Sequence, residues 1–301
     1  MSEDGLLTQL HSAEFVDRWL GAYCATYRWE RDGWFAVVPG LDGRRTWACA
    51  PGLAYSHLSP SAAEREAERV AGRRFHIRLL DPSVSPAAGD PVVMRIDLAA
   101  RASDLDRVWR EALGTTTRNL IRRAQRDGLH AEIGSGPELR AEFRRMLAAT
   151  HRRHGAPMPP ARLFECVAEA LPCRVVLVRD ANGRPVAAVL GVRDRPILWS
   201  PWAALAAQPP LGAGELAWWR FVELARDEGC DLVDFGRSPL EGGPYRFKRK
   251  FGALPVPLRR LSDRPGSLYA RYELAQRLWR FLPAPIADAL GPRLCRRLAD
   301  Y

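Results

Sequence analysis

No stretch of this 301-residue chain approaches the roughly 18 continuous apolar residues that a bilayer-spanning helix needs, so a helical membrane span is excluded. The opening residues, MSEDGLLTQLHSAEF, are acidic and lack an apolar core, which predicts no signal peptide and a cytoplasmic chain. The six cysteines, Cys24, Cys49, Cys166, Cys173, Cys230 and Cys295, form no C-x-x-C pair. Several sit in apolar segments, where a free thiol acts as a small hydrophobe, so a reducing compartment without a disulfide framework is expected. There is no Walker A motif, no G-x-G-x-x-G, and no persuasive Ser-His-Asp or Cys-His order. His151 and His154 stand three apart without a third ligand near them, so no metal site is expected.

What is present is a globular composition, 47% hydrophobic, and a large positive excess: 45 Lys plus Arg against 35 Asp plus Glu, a formal charge of +10. Arg supplies nearly all of the positive charge. Such an excess suits an anionic partner, whether nucleic acid, phosphorylated substrate or membrane surface.

Apolar spacing predicts a helix at AEFVDRWLGAY, strands at WFAVVPG and RTWACAP, a helix at SPSAAEREAERVAG, and strands at RRFHIRLLD and PVVMRIDL. The last places Val92, Met94, Ile96 and Leu98 on one face. A helical middle follows: SDLDRVWREAL behind an N-cap Ser103, TTTRNLIRRAQRDGL ending at Gly128, GPELRAEFRRMLAATHRRHG, and PPARLFECVAEALP. Strands resume in CRVVLVRDANGRPVAAVLGVRDRPILWSPWAAL, a meander whose first turn carries Asn182-Gly183. GAGELAWWRFVELARDEG is a helix bounded by glycine, and CDLVDFG a strand apolar enough to be covered on both faces. PYRFKRKFGA reads as helix, LPVPLRRL as extended, and SLYARYELAQRLWRFL onward as one or two amphipathic helices. The order predicts an α+β fold of two related units, 1–129 and 130–258, followed by a helical tail, 259–301.

Four places carry candidate chemistry. Gly212-Ala213-Gly214 opens a helix, where free N–H groups and the helix dipole favour an anion; a plain turn would look the same. Arg118, Arg122 and Arg126 recur every fourth residue on one helix face, able to grip phosphates or simply to face solvent. Trp199 and Trp202 line a pocket or belong to the core. The fourth is DLVDFGRSPLEGGPYRFKRKFGA, residues 231–253, where Asp234 ends a strand and Arg237 and Ser238 follow. Asp234 there could accept a proton or hold an amine.

RNLIRRAQRDGL, HRRHGAPMPPARLFE, VDFGRS and YRFKRKFGALPVPL together resemble the FemAB-related proteins of the Fem/GNAT acyltransferase superfamily, over roughly Asp106 to Leu258. The combination of D-F-G-R-S with a following Y-x-F-K-x-x-F-G-A is the specific part. The resemblance implies two tandem GNAT-like domains with mixed sheets flanked by helices, the donor site lying in the second. It implies transfer of an aminoacyl group from aminoacyl-tRNA to an amine of a small molecule, peptide or cell-envelope precursor, without a cofactor. The family's Phe-Lys pair maps onto Phe247 and Lys248, the ring stacking on the tRNA end and the lysine acting in aminolysis. Tyr245, Arg237, Ser238, Arg118, Arg122, Arg249 and Lys250 would join the donor site, with Asp234 as proton acceptor. Acyl-CoA is the alternative donor, its pyrophosphate cradled by Gly212 and Gly214, although Gln208 precedes Gly212 by four residues with Pro209 and Pro210 between. A third reading is a non-catalytic GNAT-like protein that binds a polyanion or a partner. The expected geometry places Asp234 and Arg237 where a central strand ends, beside the helix at Gly212, with Phe247 and Lys248 folded back over that end.

Overall fold

The computed structural model describes residues 4–101, 104–263 and 277–298. In chain order its helices are α1 (Asp4–Leu7), α2 (Ala13–Tyr27), α3 (Pro60–Arg69), α4 (Leu105–Arg107), α5 (Thr115–Arg126), α6 (Pro137–His154), α7 (Ala161–Ala170), α8 (Ala213–Asp227), α9 (Gly243–Arg249) and α10 (Ala284–Cys295). The strands are β1 (Glu30–Asp32), β2 (Phe35–Pro39), β3 (Arg45–Cys49), β4 (Arg74–Leu80), β5 (Pro91–Asp97), β6 (His130–Gly134), β7 (Cys173–Arg179), β8 (Pro185–Asp194), β9 (Ile197–Leu205), β10 (Leu232–Pro239) and β11 (Leu254–Ser262). This is the expected α+β class.

The chain gathers into two compact units, one of Met1–Gln9, Leu80–Met146 and Pro172–Leu258, the other of Leu10–Leu79, Leu147–Leu171 and Arg259–Tyr301. The division read from the sequence at residue 129 therefore falls inside the first unit. The reason is β5, which pairs antiparallel with β10 on one side and β11 on the other, so a strand from the first third of the chain completes a sheet built mostly from the second half.

In the second unit β1, β2 and β3 run antiparallel and β3 pairs parallel with β4. Helix α2 begins where Ser12 Oγ accepts the Phe15 N–H, and it buries Phe15, Trp19, Leu20, Tyr23 and Tyr27.

In the first unit the strand order is β11-β5-β10-β9-β8-β7-β6. Every pair is antiparallel except β9 with β10. Parallel neighbours need a crossover, and α8 supplies it. It buries Leu216, Trp218, Trp219, Phe221 and Val222 against Val233 and Phe235 of β10, Val176 and Val178 of β7, and Ile121 and Ala124 of α5. The alternation foreseen in β5 holds, with Val92, Met94, Ile96 and Leu98 all in this core.

Three local readings change. The edge strand β6 was not anticipated: HAEIG alternates weakly, and its place is set by antiparallel pairing with β7. The helix at SDLDRVWREAL is a short α4 followed by a π-helical turn, Val108–Ala112, and its cap is Asp104, whose carboxylate accepts the Asp106 N–H. The tail prediction falls mainly on residues outside those described; within them, α10 buries Ala287, Gly291 and Cys295.

Candidate active site

Strands β9 and β10 share a parallel ladder for three pairs only, ending at Asp234–Trp199, although both strands continue. Beyond that level β9 stays with β8 as far as Leu205, and β10 stays with β5 as far as Pro239. Both carry a bulge there. Four residues of β10, Asp234 to Arg237, span what three residues of β5 span, and four of β9, Trp199 to Trp202, span what three of β8 span. Glycine permits the first bulge: Gly236 has φ +72°, and a Cβ on it would stand 3.1 Å from the Ser200 carbonyl oxygen. Pro201, with no N–H to give a ladder, sits in the second. The two strands therefore part at their carboxyl ends, with α8 following one and α9 the other. In open α/β sheets such ends are where ligands bind.

Lys248 projects from α9 into this region. Its side chain is buried, and its ammonium donates to the carbonyls of Gly236 at 3.2 Å and Arg237 at 2.9 Å, the peptides just past the end of the shared ladder. Burial pulls its pKa down to about 7; the Asp234 carboxylate opposes that fall and the Arg237 guanidinium reinforces it. Phe247 lies beside it, half-buried, with ring atoms 3.8 and 3.9 Å from where a Cβ on Gly214 would stand, so the ring covers the first turn of α8. Lys250 reaches that turn too, pairing with Glu215 at 3.2 Å and lying 5.3 Å from the Phe247 ring centre. Arg237 is half-buried and makes no ion pair among the described residues.

Other expected site residues have different duties. Asp234 was read as a proton acceptor. It is fully buried, pairs with Arg95 at 3.0 Å through Oδ2, and accepts the Gly236 N–H at 2.7 Å through Oδ1. A carboxylate so occupied is a structural anion and no base. Gly212, read as a phosphate cradle, is buried with φ +82°; a Cβ there would collide with the Leu120 carbonyl and stand 3.1 Å from Ala124 Cβ. Its missing side chain lets α5 pass. Gly214, by contrast, sits in open van der Waals contact. Arg118 folds back on its own segment, one guanidinium nitrogen donating to the carbonyls of Trp109, Arg110 and Leu113. That closes the end of the π-helical turn and takes the residue off the basic stripe. Arg122 lies over the Trp109 ring at 5.5 Å, and Arg249 donates to the Ala253 carbonyl at 3.2 Å. Trp199 is buried in the core, Trp202 half-buried past the end of the ladder. Ser238 is buried with no hydrogen-bond partner for its hydroxyl, and Tyr245 packs against the core. His151 Nδ1 lies 3.0 Å from the Pro157 carbonyl, and no cluster of three metal-ligating side chains occurs among the described residues.

The sequence held one signal that motif reading passed over. Lys248 and Lys250 are the only lysines in the chain, against 43 arginines (45 less 2). A cation that must be able to lose its proton cannot be arginine, whose pKa lies above about 12. Arg95 is the other residue missed, because nothing in PVVMRIDL distinguishes a buried arginine from one facing solvent.

Residues 110–249 match the model of an acetyltransferase (GNAT) domain. Among solved structures the chain is similar to FemX, at 12% identity and TM-score 0.56, covering 88% of this chain and 94% of that one. It is similar to L-PGS from Bacillus licheniformis, at 11% identity and TM-score 0.53, covering 92% and 99%. A C-terminal domain assigned to a lysylphosphatidylglycerol synthetase of Agrobacterium fabrum shares 16% identity at TM-score 0.53, covering 92% and 96%. No curated protein matches the sequence. Residues 110–249 thus match a GNAT acetyltransferase domain, and the chain shares the fold of these three structures. In activity class it is an acyltransferase. Among the described residues no helix is long and apolar enough to cross a membrane.

Proposed function

We propose that the chain is a Fem-like N-acyltransferase that moves an aminoacyl group from aminoacyl-tRNA to a primary amine of a small molecule, peptide or cell-envelope precursor. The observation that carries this is the placement of Lys248: a buried ammonium on two backbone carbonyls where β9 and β10 part, with Phe247 beside it over the start of α8. The acceptor nitrogen attacks the ester carbonyl carbon, an N–C bond forms, and the oxygen becomes an oxyanion. Collapse breaks the C–O bond to the ribose. The ribose oxygen must gain a proton and the new amide nitrogen must lose one. A lysine with a pKa of about 7 can give the first and take back the second, because both its forms are populated near neutrality. Arg237, unpaired and adjacent, suits a phosphate of the tRNA end, and the half-buried Phe247 ring suits a base.

The second reading keeps the transfer and changes the donor to acyl-CoA. The acetyltransferase-domain match favours it. Against it, Gly212 is packed on α5, and the Phe247 ring and the Lys250–Glu215 pair occupy the first turn of α8, where a pyrophosphate would sit.

The test incubates the purified protein with labelled aminoacyl-tRNA or labelled acyl-CoA and a panel of amines, with and without ribonuclease. Ribonuclease-sensitive amide formation is expected, lost in Lys248→Arg, which keeps the charge and cannot release the proton. Transfer from acyl-CoA that ignores ribonuclease would overturn the tRNA donor. Absence of turnover from either donor, with tight polyanion binding, would favour a binding protein.

A further inference from the structure

The mechanism makes no use of the Arg95–Asp234 pair, both of whose side chains are fully inaccessible. Arg95 Nε and Nη2 each lie 3.0 Å from Asp234 Oδ2, and its Nη1 donates to the carbonyls of Leu7 at 2.6 Å and Gln9 at 2.8 Å. The guanidinium is thus anchored on its far side by backbone and presents its fork to one carboxylate oxygen. The other oxygen, Oδ1, takes the N–H of Gly236. The Gly236 carbonyl, on the same residue, and the Arg237 carbonyl after it are the two that hold the Lys248 ammonium. A continuous chain of contacts therefore runs from Arg95 through Asp234 and the bulge to the lysine.

We propose that Asp234, locked by Arg95, is a positioning residue for Lys248: it fixes the left-handed turn at Gly236 so that two successive carbonyls face the ammonium, and it supplies the nearby negative charge that keeps this buried lysine able to hold a proton. The inference rests on the proposed acyl transfer for its catalytic meaning, but its physical content concerns Lys248 alone. Two charges bear directly on that lysine, Asp234 favouring its protonated form and Arg237 opposing it. Removing the first leaves burial and Arg237 acting together, and the ammonium becomes the stronger acid. A nearby opposite charge is worth about one unit or more, a tenfold change in acidity.

The composition makes the measurement clean, since a protein labelled with 13C at lysine Cε shows two side chains, assigned with Lys250→Arg. The pH titration of Lys248 is followed in the wild type, in Asp234→Asn, and in Asp234→Asn combined with Arg95→Met. Asparagine keeps an oxygen for the Gly236 N–H while dropping the charge. The double variant also removes the buried arginine charge that Asp234→Asn no longer balances, which otherwise threatens folding. In every folded variant the midpoint is expected to fall by about one unit or more, with the acid limb of any transfer rate moving by the same amount. A midpoint that stays where the wild type has it, in either folded variant, overturns the inference. A shifted midpoint in a protein that transfers nothing from any donor upholds the coupling and defeats the acyl-transfer reading instead.

Discussion

Replacing Gly212 by alanine separates a packing glycine from a phosphate-cradling one. At φ +82° an alanine sits in the left-handed region, which costs an L-residue about 1–2 kcal/mol. The added carbon would also meet the Leu120 carbonyl group and Ala124 Cβ, the backbone and a short side chain of α5, neither of which can swing aside. Overpacking of that kind costs about 1–3 kcal/mol. The sum is a loss of about 2–5 kcal/mol. For a unit of this size each kcal/mol moves the melting temperature by about 2–4 °C, so a fall on the order of 10 °C is expected by calorimetry or circular dichroism. Gly214→Ala is the control. It lies inside α8, where the new carbon makes ordinary contact at 3.8 Å with Leu205 and Phe247, and alanine gains about 1 kcal/mol in helix propensity. Its melting temperature should hold or rise. A Gly212→Ala protein that melts with the wild type but binds its donor poorly would refute the packing argument and restore the cradle.

Three further outcomes follow from the same geometry. The Lys248 pKa lies below its value in an unfolded chain, so the folded lysine holds fewer protons between about pH 7 and the ordinary lysine range; the destabilisation it imposes is complete below pH 7 and relieved as pH rises across that window. Urea unfolding of wild type against Lys248→Met should therefore show a difference in slope of up to roughly 1.4 kcal/mol per pH unit above pH 7, and coincident slopes would contradict the buried lysine. Arg237→Gln should weaken aminoacyl-tRNA binding and lower the magnitude of its log–log salt slope by about 0.7–0.9, one phosphate contact, measured by filter binding; an unchanged slope removes Arg237 from the phosphate path. Arg118→Ala should lower urea stability by about 1–3 kcal/mol by uncovering the carbonyls that end the π-helical turn, with tRNA affinity unaltered at fixed salt; a change in affinity alone would return Arg118 to the binding surface.

How far the sequence reaches depends on whether a feature is local. The meander β7–β8–β9, the glycine-bounded α8 and the helix after the Pro239–Pro244 loop were readable because their periodicity and turn residues lie within the segment itself. The arrangement of Phe247 against the first turn of α8 followed from joining two motifs. What escaped is set by partners far along the chain. Strand β5 joins a sheet whose other members lie beyond residue 129, β6 exists because β7 offers it an edge, and the Arg95–Asp234 pair links positions 139 residues apart. No window of either segment contains that information. The same distance effect reassigned Asp234: at the end of a strand it resembles a general base, and only the arginine opposite it in register shows that its charge is already committed.

The lysine count connects these two levels. A chain that meets nearly every need for positive charge with arginine still places both of its lysines within three residues of one another, on α9 and just after it. Solubility, phosphate attraction and surface pairing are all served by arginine elsewhere in the molecule, so none of them explains the exception. The two lysines also differ in environment: Lys250 is exposed and paired with Glu215, whereas Lys248 is buried with carbonyls for company and a pKa near 7. Arginine in the second place would be a permanent charge beside Arg237, unable to give up a proton and too broad for two successive carbonyls. Compositional scarcity and structural placement thus point at the same nitrogen from independent directions, and the demand they share is for a proton that can leave.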